Sequence, residues 1–235
     1  MRRSALEGTL GDLDLGSLLG FLRSGSVTGR LAFGAPGTGV VLFVDGCASL
    51  GIADPVARID SLFVGSGLVE EHHWDDVVAK ARRSSLAEAL TERGVPEERV
   101  REIIRAHALA ALALTEPATP FSFEPGVRPD FDTGVRMEPS DLLGGLDETR
   151  ARLVAAMRRV GSWDHRPLLR RHLPRNLDRV TISASDWAVI TAVDGCRSAR
   201  EICAATGSDP VSVVSSLARM IELKMLEMSP PKVSE

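Results

Sequence analysis

His72-His73, followed by Trp74-Asp75-Asp76, is a stretch whose residue types suggest a metal site. Successive residues on an α-helix point about 100° apart, so both imidazoles would not easily reach one ion, and a surface pair at a helix start is expected. His165 and His172 are seven apart, but Pro167 lies between them and arginines crowd both, which disfavours a cation. Cys47, Cys196 and Cys203 form no Cys-x-x-Cys pair, so they read as small buried hydrophobes of a reducing compartment rather than zinc ligands. Gly34-Ala35-Pro36-Gly37-Thr38-Gly39 is glycine-rich but lacks the Lys-Ser/Thr of a phosphate loop, and reads as a turn between strands. No Gly-x-Ser-x-Gly elbow presents a serine nucleophile. No convergent acid, base and nucleophile can be named, so no catalytic residue, metal or cofactor is expected.

The remaining side chains with chemistry are cationic. Net charge is −4 over 235 residues, unevenly spread. Residues 1–149 carry 14 Lys+Arg against 23 Asp+Glu; residues 150–179 carry 9 Arg against 2 Asp; residues 180–235 carry 5 Lys+Arg against 7 Asp+Glu. An acidic body with one basic segment fits an intramolecular contact, an acidic partner or a grip on nucleic-acid phosphates. The candidate binding residues are therefore Arg158, Arg159, Arg166, Arg170, Arg171 and Arg175, with Trp163 among them as an interface anchor. Ser212, Ser215, Ser216 and Arg219, on a helix beginning at Asp209-Pro210, are a thin set of groups for reading bases. Aromatics are 4% with no tyrosine, which argues against a base-stacking platform.

The elements that must position these groups follow from local pattern. Leu15, Leu18, Leu19 and Leu22 fall at helical spacing behind Asp14, a plausible N-cap. Val27–Phe33 alternates with Val27, Leu31 and Phe33 on one face; Val40–Val44 is a β-branched run read as a more buried strand; Asp45-Gly46 is a hairpin turn into Cys47–Gly51. A repeat follows: Leu62-Phe63-x3-Gly67-Leu68-x-Glu70-Glu71 recurs 27 residues on as Ala89-Leu90-x3-Gly94-Val95-x-Glu97-Glu98, predicting helices at Glu70–Ala81 and Pro96–Leu114. Phe121-Ser122-Phe123-Glu124 alternates like a further strand, 127–139 is a Pro- and Gly-containing linker, and Ser140–Val160 is helical. Arg158–Arg179 reads as a connector. Beyond it come helices at Ser185–Val193, with Trp187 at core spacing, and at Ser198–Ala205, a third from Asp209-Pro210 to Lys224, a short strand at Leu226–Met228 and a frayed tail.

Two resemblances attach to these residues. Glu7-Gly8-Thr9-Leu10, Leu15-x2-Leu18-Leu19, Val27-Thr28-Gly29-Arg30-Leu31, Val41-x-Phe43-x-Asp45-Gly46 and Phe121-x-Phe123-x-Pro125 resemble the PATAN module of bacterial signalling proteins, over about residues 5–155. Leu142-Leu143-x5-Thr149-Arg150 looks like that family's closing helix. The resemblance implies protein–protein contact, beside receiver or GTPase-linked systems, and brings no catalytic residue. Trp187-x2-Ile190-x2-Val193-Asp194-Gly195, Ser198-x2-Glu201-Ile202, Val213-x3-Leu217-x3-Ile221 and Leu226-Glu227 resemble a winged helix whose wing is truncated before Pro230-Pro231.

The expected fold class is α+β: a small antiparallel sheet with a helical insertion at about 56–115 in a domain of residues 1–155, an Arg-rich connector at 156–179, and a mostly helical winged-helix-like domain at 180–235. No apolar run reaches the roughly 20 residues that cross a bilayer, and no apolar stretch follows the charged start, so a cytoplasmic protein without membrane contact is expected. Two readings stand. One is a non-enzymatic signalling adaptor that binds a protein partner of GTPase, receiver or kinase type, or associates with itself. The other is a DNA-binding regulator using the winged helix and the arginines before it.

Overall fold

The computed structural model describes residues 6–34, 39–54, 58–116, 118–172 and 179–230. Tip residues 35–38 of the expected glycine-rich turn, Arg175, and tail residues 231–235 lie outside them. The fold is α+β, and its sheet is antiparallel throughout. Strands β1 (Leu6–Thr9), β2 (Gly29–Phe33), β3 (Gly39–Val44), β4 (Cys47–Ala53) and β5 (Pro120–Pro125) lie in the order β1-β5-β2-β3-β4. The expected three-stranded meander is β2-β3-β4. Phe121 and Phe123 of β5 face Phe33 and Leu31 of β2 in register, and all four are buried.

Asp45 and Gly46 both take positive φ, 51° and 80°, the signature of a tight two-residue hairpin turn. Gly46 has a second reason to be glycine: a Cβ there would stand 2.9 Å from the backbone of Arg23. That backbone ends helix α1 (Leu15–Ser24), capped by Asp14 and buried through Leu15, Leu18, Leu19 and Leu22, as the spacing predicts. The β3 run alternates rather than being buried on both faces: Val41 and Phe43 point in, while Val40, Leu42 and Val44 are half-buried. The nearly fully buried strand is β4, because helix α5 (Glu97–Ala113) lies across it and the bare Gly51 admits the backbone of Ala108.

Between β4 and β5 come α2 (Ile59–Val64), α3 (Trp74–Ala81), α4 (Leu86–Thr91) and α5. The internal repeat is a structural repeat. Gly67 and Gly94 both take positive φ, and each copy closes with the same bond, Leu68 N to Phe63 O at 3.0 Å and Val95 N to Leu90 O at 3.1 Å. The copies then diverge. The helix expected to start at Glu70 instead opens with a separate 3-10 turn, Glu71–His73, before α3.

The 127–139 stretch is not a free linker. Leu86 N and Ala87 N donate to the carbonyls of Asp132 and Thr133, Thr133 Oγ1 meets Ser49 Oγ at 2.8 Å, and Met137 bridges Ala48. Helix α6 (Pro139–Val160) starts with Pro at its first turn and stops at Gly161, φ 87°. It packs on α1 and α5 and also on the C-terminal helix Pro210–Glu222, so the boundary expected at residue 155 falls inside one continuous helix.

The C-terminal elements are α7 (Ala184–Ala192), α8 (Ala199–Thr206) and α9 (Pro210–Glu222). Capping boxes at Ser183/Asp186 and Ser198/Glu201 start the first two, and Asp209 with Pro210 starts the third. The last strand, β7 (Leu226–Ser229), pairs with β6 (Arg166–Leu169), which the sequence reading placed in the connector. The strand that pairs with β7 thus precedes the three helices. Trp187 is 58% exposed, not core; Asp186, Val189 and Ala192 are the inward positions of α7. Cys196 is also exposed, against expectation, while Cys203 is buried. Among the described residues, no helix is long and apolar enough to cross a membrane.

Candidate partner-binding surface

The candidate arginines among the described residues meet different partners. Arg159 closes the end of α6 onto α9 through Glu222 at 2.5 Å. Arg170 follows β6, pairs with Glu227 of β7 at 3.4 Å and donates its backbone N–H to Met225. Arg166 begins β6, half-buried, with its Nε buried and unpartnered. Arg219 binds Asp186 at 2.6 Å and the Thr181 carbonyl at 2.9 Å. Burial pushes the Asp186 carboxyl up. Hydrogen bonds from Ser183 and Ser216 and the Arg219 charge outweigh this and hold its pKa below the usual range. Arg158 and Arg171 are exposed and make no ion pair among the described residues.

The serines of the expected reading helix fare differently. Ser216 is buried; Ser212 and Ser215 are half-buried, and the Ser212 N–H is taken by the Asp209 cap. Eight residues of α9 are buried, because α6, α7 and α8 all pack on it. Only Arg219 and Glu222 of this helix are fully exposed.

Trp163 sits in the loop after α6. Its carbonyl accepts from Arg200 N, and that of His165 from Ala199 N, both at 3.0 Å, so the loop is fastened to the start of α8. The half-buried indole lines a groove of about 510 Å³ with Leu114, Arg150, Leu153, Val154 and Met157. Arg150 is steadied by Thr115 Oγ1 at 3.2 Å, and Val154 is 52% exposed at the groove. The apolar side chains around Trp163 come from the end of α5 and from α6, which directly precedes its loop.

His107 was not singled out by the sequence, where it is one of several polar residues in an amphipathic helix. It is 1% exposed, and its Nε2 lies 3.1 Å from the Gly207 carbonyl, which joins α5 to the turn between α8 and α9. Beside it Gly65 and Gly207 approach so closely that a Cβ on either would meet the other's backbone. Arg200, bonded to Asp54, makes a further link.

His72 and His73 sit in a 3-10 turn, not in the α-helix expected for them. Their rings are 3.9 Å apart between centroids, and one ligand atom each from Glu70, His72 and His73 lie within 4.8 Å of one another. Glu70 and His72 are exposed and His73 is half-buried; three donors at a surface fall short of the four that close a structural zinc site. His165 and His172 do not share a face: His165 Nδ1 binds the Val160 carbonyl at 2.9 Å, while His172 is exposed. Comparison with family models, curated proteins and solved structures finds no match to this chain.

Proposed function

We propose that this chain is a non-enzymatic adaptor of a bacterial signalling system, PATAN-like in its first 155 residues, that docks a protein partner of GTPase, receiver or kinase type. The observation that carries the reading is the burial of α9. A winged helix reads DNA by laying the exposed face of this helix in the major groove, and here α9, packed by α6, α7 and α8, leaves only Arg219 and Glu222 fully exposed. Three of the candidate arginines are also occupied by Glu222, Glu227 and Asp186. What is left open is an apolar groove with a fastened tryptophan, the kind of feature that anchors protein interfaces.

The test is a titration of the full chain against purified receiver, GTPase and kinase proteins encoded beside it, repeated with Val154→Asp. Saturable binding to one of them, weakened by about tenfold or more in the variant, is the expected result. Binding to none of them overturns the reading. A parallel titration with duplex DNA uses wild type and Arg170→Ala/Arg171→Ala. Steeply salt-dependent binding lost in the double variant would replace the adaptor by the DNA-binding regulator.

A further inference from the structure

The outer face of α6 carries charges that the other described residues leave unanswered. Elsewhere most arginines meet a carboxylate: Arg23 with Glu138, Arg30 with Glu124, Arg136 with Asp132, Arg159 with Glu222. On this face Asp141, Asp147, Glu148, Arg152 and Arg158 are all exposed, and the ion pairs among the described residues include none of them. Acids fill the first half of the helix and bases the second. The helix dipole accounts for Asp141 in the first turn and Arg158 in the last, but not for Asp147, Glu148 and Arg152 in the middle.

Asp141, Gly144, Glu148, Ala151, Ala155 and Arg158 recur at intervals of 3, 4, 3, 4 and 3 residues, so they form one stripe along the helix, about 26 Å long at 1.5 Å per residue. All six are exposed, and a Cβ at Gly144 would meet nothing within 4 Å. The opposite side, through Leu142, Leu146, Thr149, Ala156 and Val160, is the one buried in the fold.

We infer that this stripe is an interface with a second copy of the chain, the two α6 helices packing antiparallel about a two-fold axis midway between Glu148 and Ala151. In that register Asp141 faces Arg158 of the other copy, Gly144 faces Ala155 and Glu148 faces Ala151, each contact occurring twice. Ion pairs close both ends, and the small residues between let the helices approach to the close end of the usual 8–10 Å separation. A parallel pairing would set acid against acid and base against base, so the charge order selects the antiparallel one. The stripe is polar and small, so the dimer is weak and salt-sensitive. The inference does not rest on the partner reading, since the stripe is complementary to itself.

The experiment is sedimentation of the full chain at low salt, up to about 100 µM, a range in which weak interfaces associate. Far-UV circular dichroism confirms that each variant is folded. A wild-type dimer is expected. Arg158→Glu sets two like-charge contacts against Asp141 and should weaken association about tenfold or more. Asp141→Arg together with Arg158→Glu exchanges the partners and should restore it. A wild-type monomer throughout overturns the proposal. So does a dimer indifferent to Arg158→Glu, or a double variant that stays as weak as the single one. A failed partner titration with an intact charge-swap result would refute the adaptor reading alone.

Discussion

Replacing His107 with glutamine tests how the C-terminal helices are held to the sheet-bearing body. The Gly207 carbonyl can only accept, so His107 Nε2 carries the hydrogen and the buried, unpartnered Nδ1 is bare. Burial holds the imidazole pKa below its ordinary value of about 6.5, with the Asp209 charge and the Gly207 bond opposing more weakly. As pH falls through about 6.5 the unfolded chain takes up a proton that the folded chain refuses, so the unfolded state binds more protons and stability drops. The slope approaches about 1.4 kcal/mol per pH unit, until the lower folded pKa is reached. Carboxylates held low, such as Asp132, Asp186 and Glu201, lose their contribution only on falling below about pH 5, toward and past their unfolded values. Glutamine keeps an N–H donor for Gly207 and does not titrate. Urea denaturation of both proteins from about pH 7.5 to about 5 reads the difference, in which the other histidines cancel. Wild type should lose more stability than the variant as pH falls from about 6 to about 5. Parallel pH dependences would refute the reasoning, because the imidazole would then titrate alike in both states.

Other outcomes follow from the same contacts. Gly207→Ala places a Cβ at φ 60° against the Ser61 carbonyl, so urea denaturation should show a loss of about 2–4 kcal/mol; an unchanged midpoint would mean that the turn is not seated there. Phe43→Ala empties a fully buried site of the sheet and should cost about 3–5 kcal/mol in the same assay. Arg219→Ala leaves the buried Asp186 without its cation; because the guanidinium is half exposed, about 1 kcal/mol is expected, and a double-mutant cycle with Asp186→Asn should show that the two losses do not add. A thiol reagent should modify the exposed Cys196 first and reach Cys203 only on unfolding, since burial raises the Cys203 thiol pKa; early labelling of both would contradict the packing of α8.

Much of the chain's local structure is determined by the sequence itself. Asp14, Ser198 with Glu201, and Asp209-Pro210 cap the helices they announce, Asp45-Gly46 makes its turn, and Gly67 and Gly94 close two copies of one helix ending. Each signal acts through bonds a few residues long, and such bonds form whatever surrounds them. Only the tertiary structure decided the pairings that cross the chain. β5 enters between β1 and β2, and Arg166–Leu169 becomes a strand because Leu226–Ser229 needs a partner. A four-residue strand has too short a pattern to be seen, and a charge count cannot say which arginine meets which carboxylate. Burial was equally undecidable locally: Trp187 has the spacing of a core residue yet stands exposed on α7, while Ser216 on α9 is buried and hydrogen-bonds Asp186 of α7. The angle between His72 and His73 is undecidable for a related reason, since it depends on whether the backbone turns as an α or a 3-10 helix. The binding surface is the least legible part. Its tryptophan, its groove and the outer face of α6 exist only because helices far apart in sequence stack side by side.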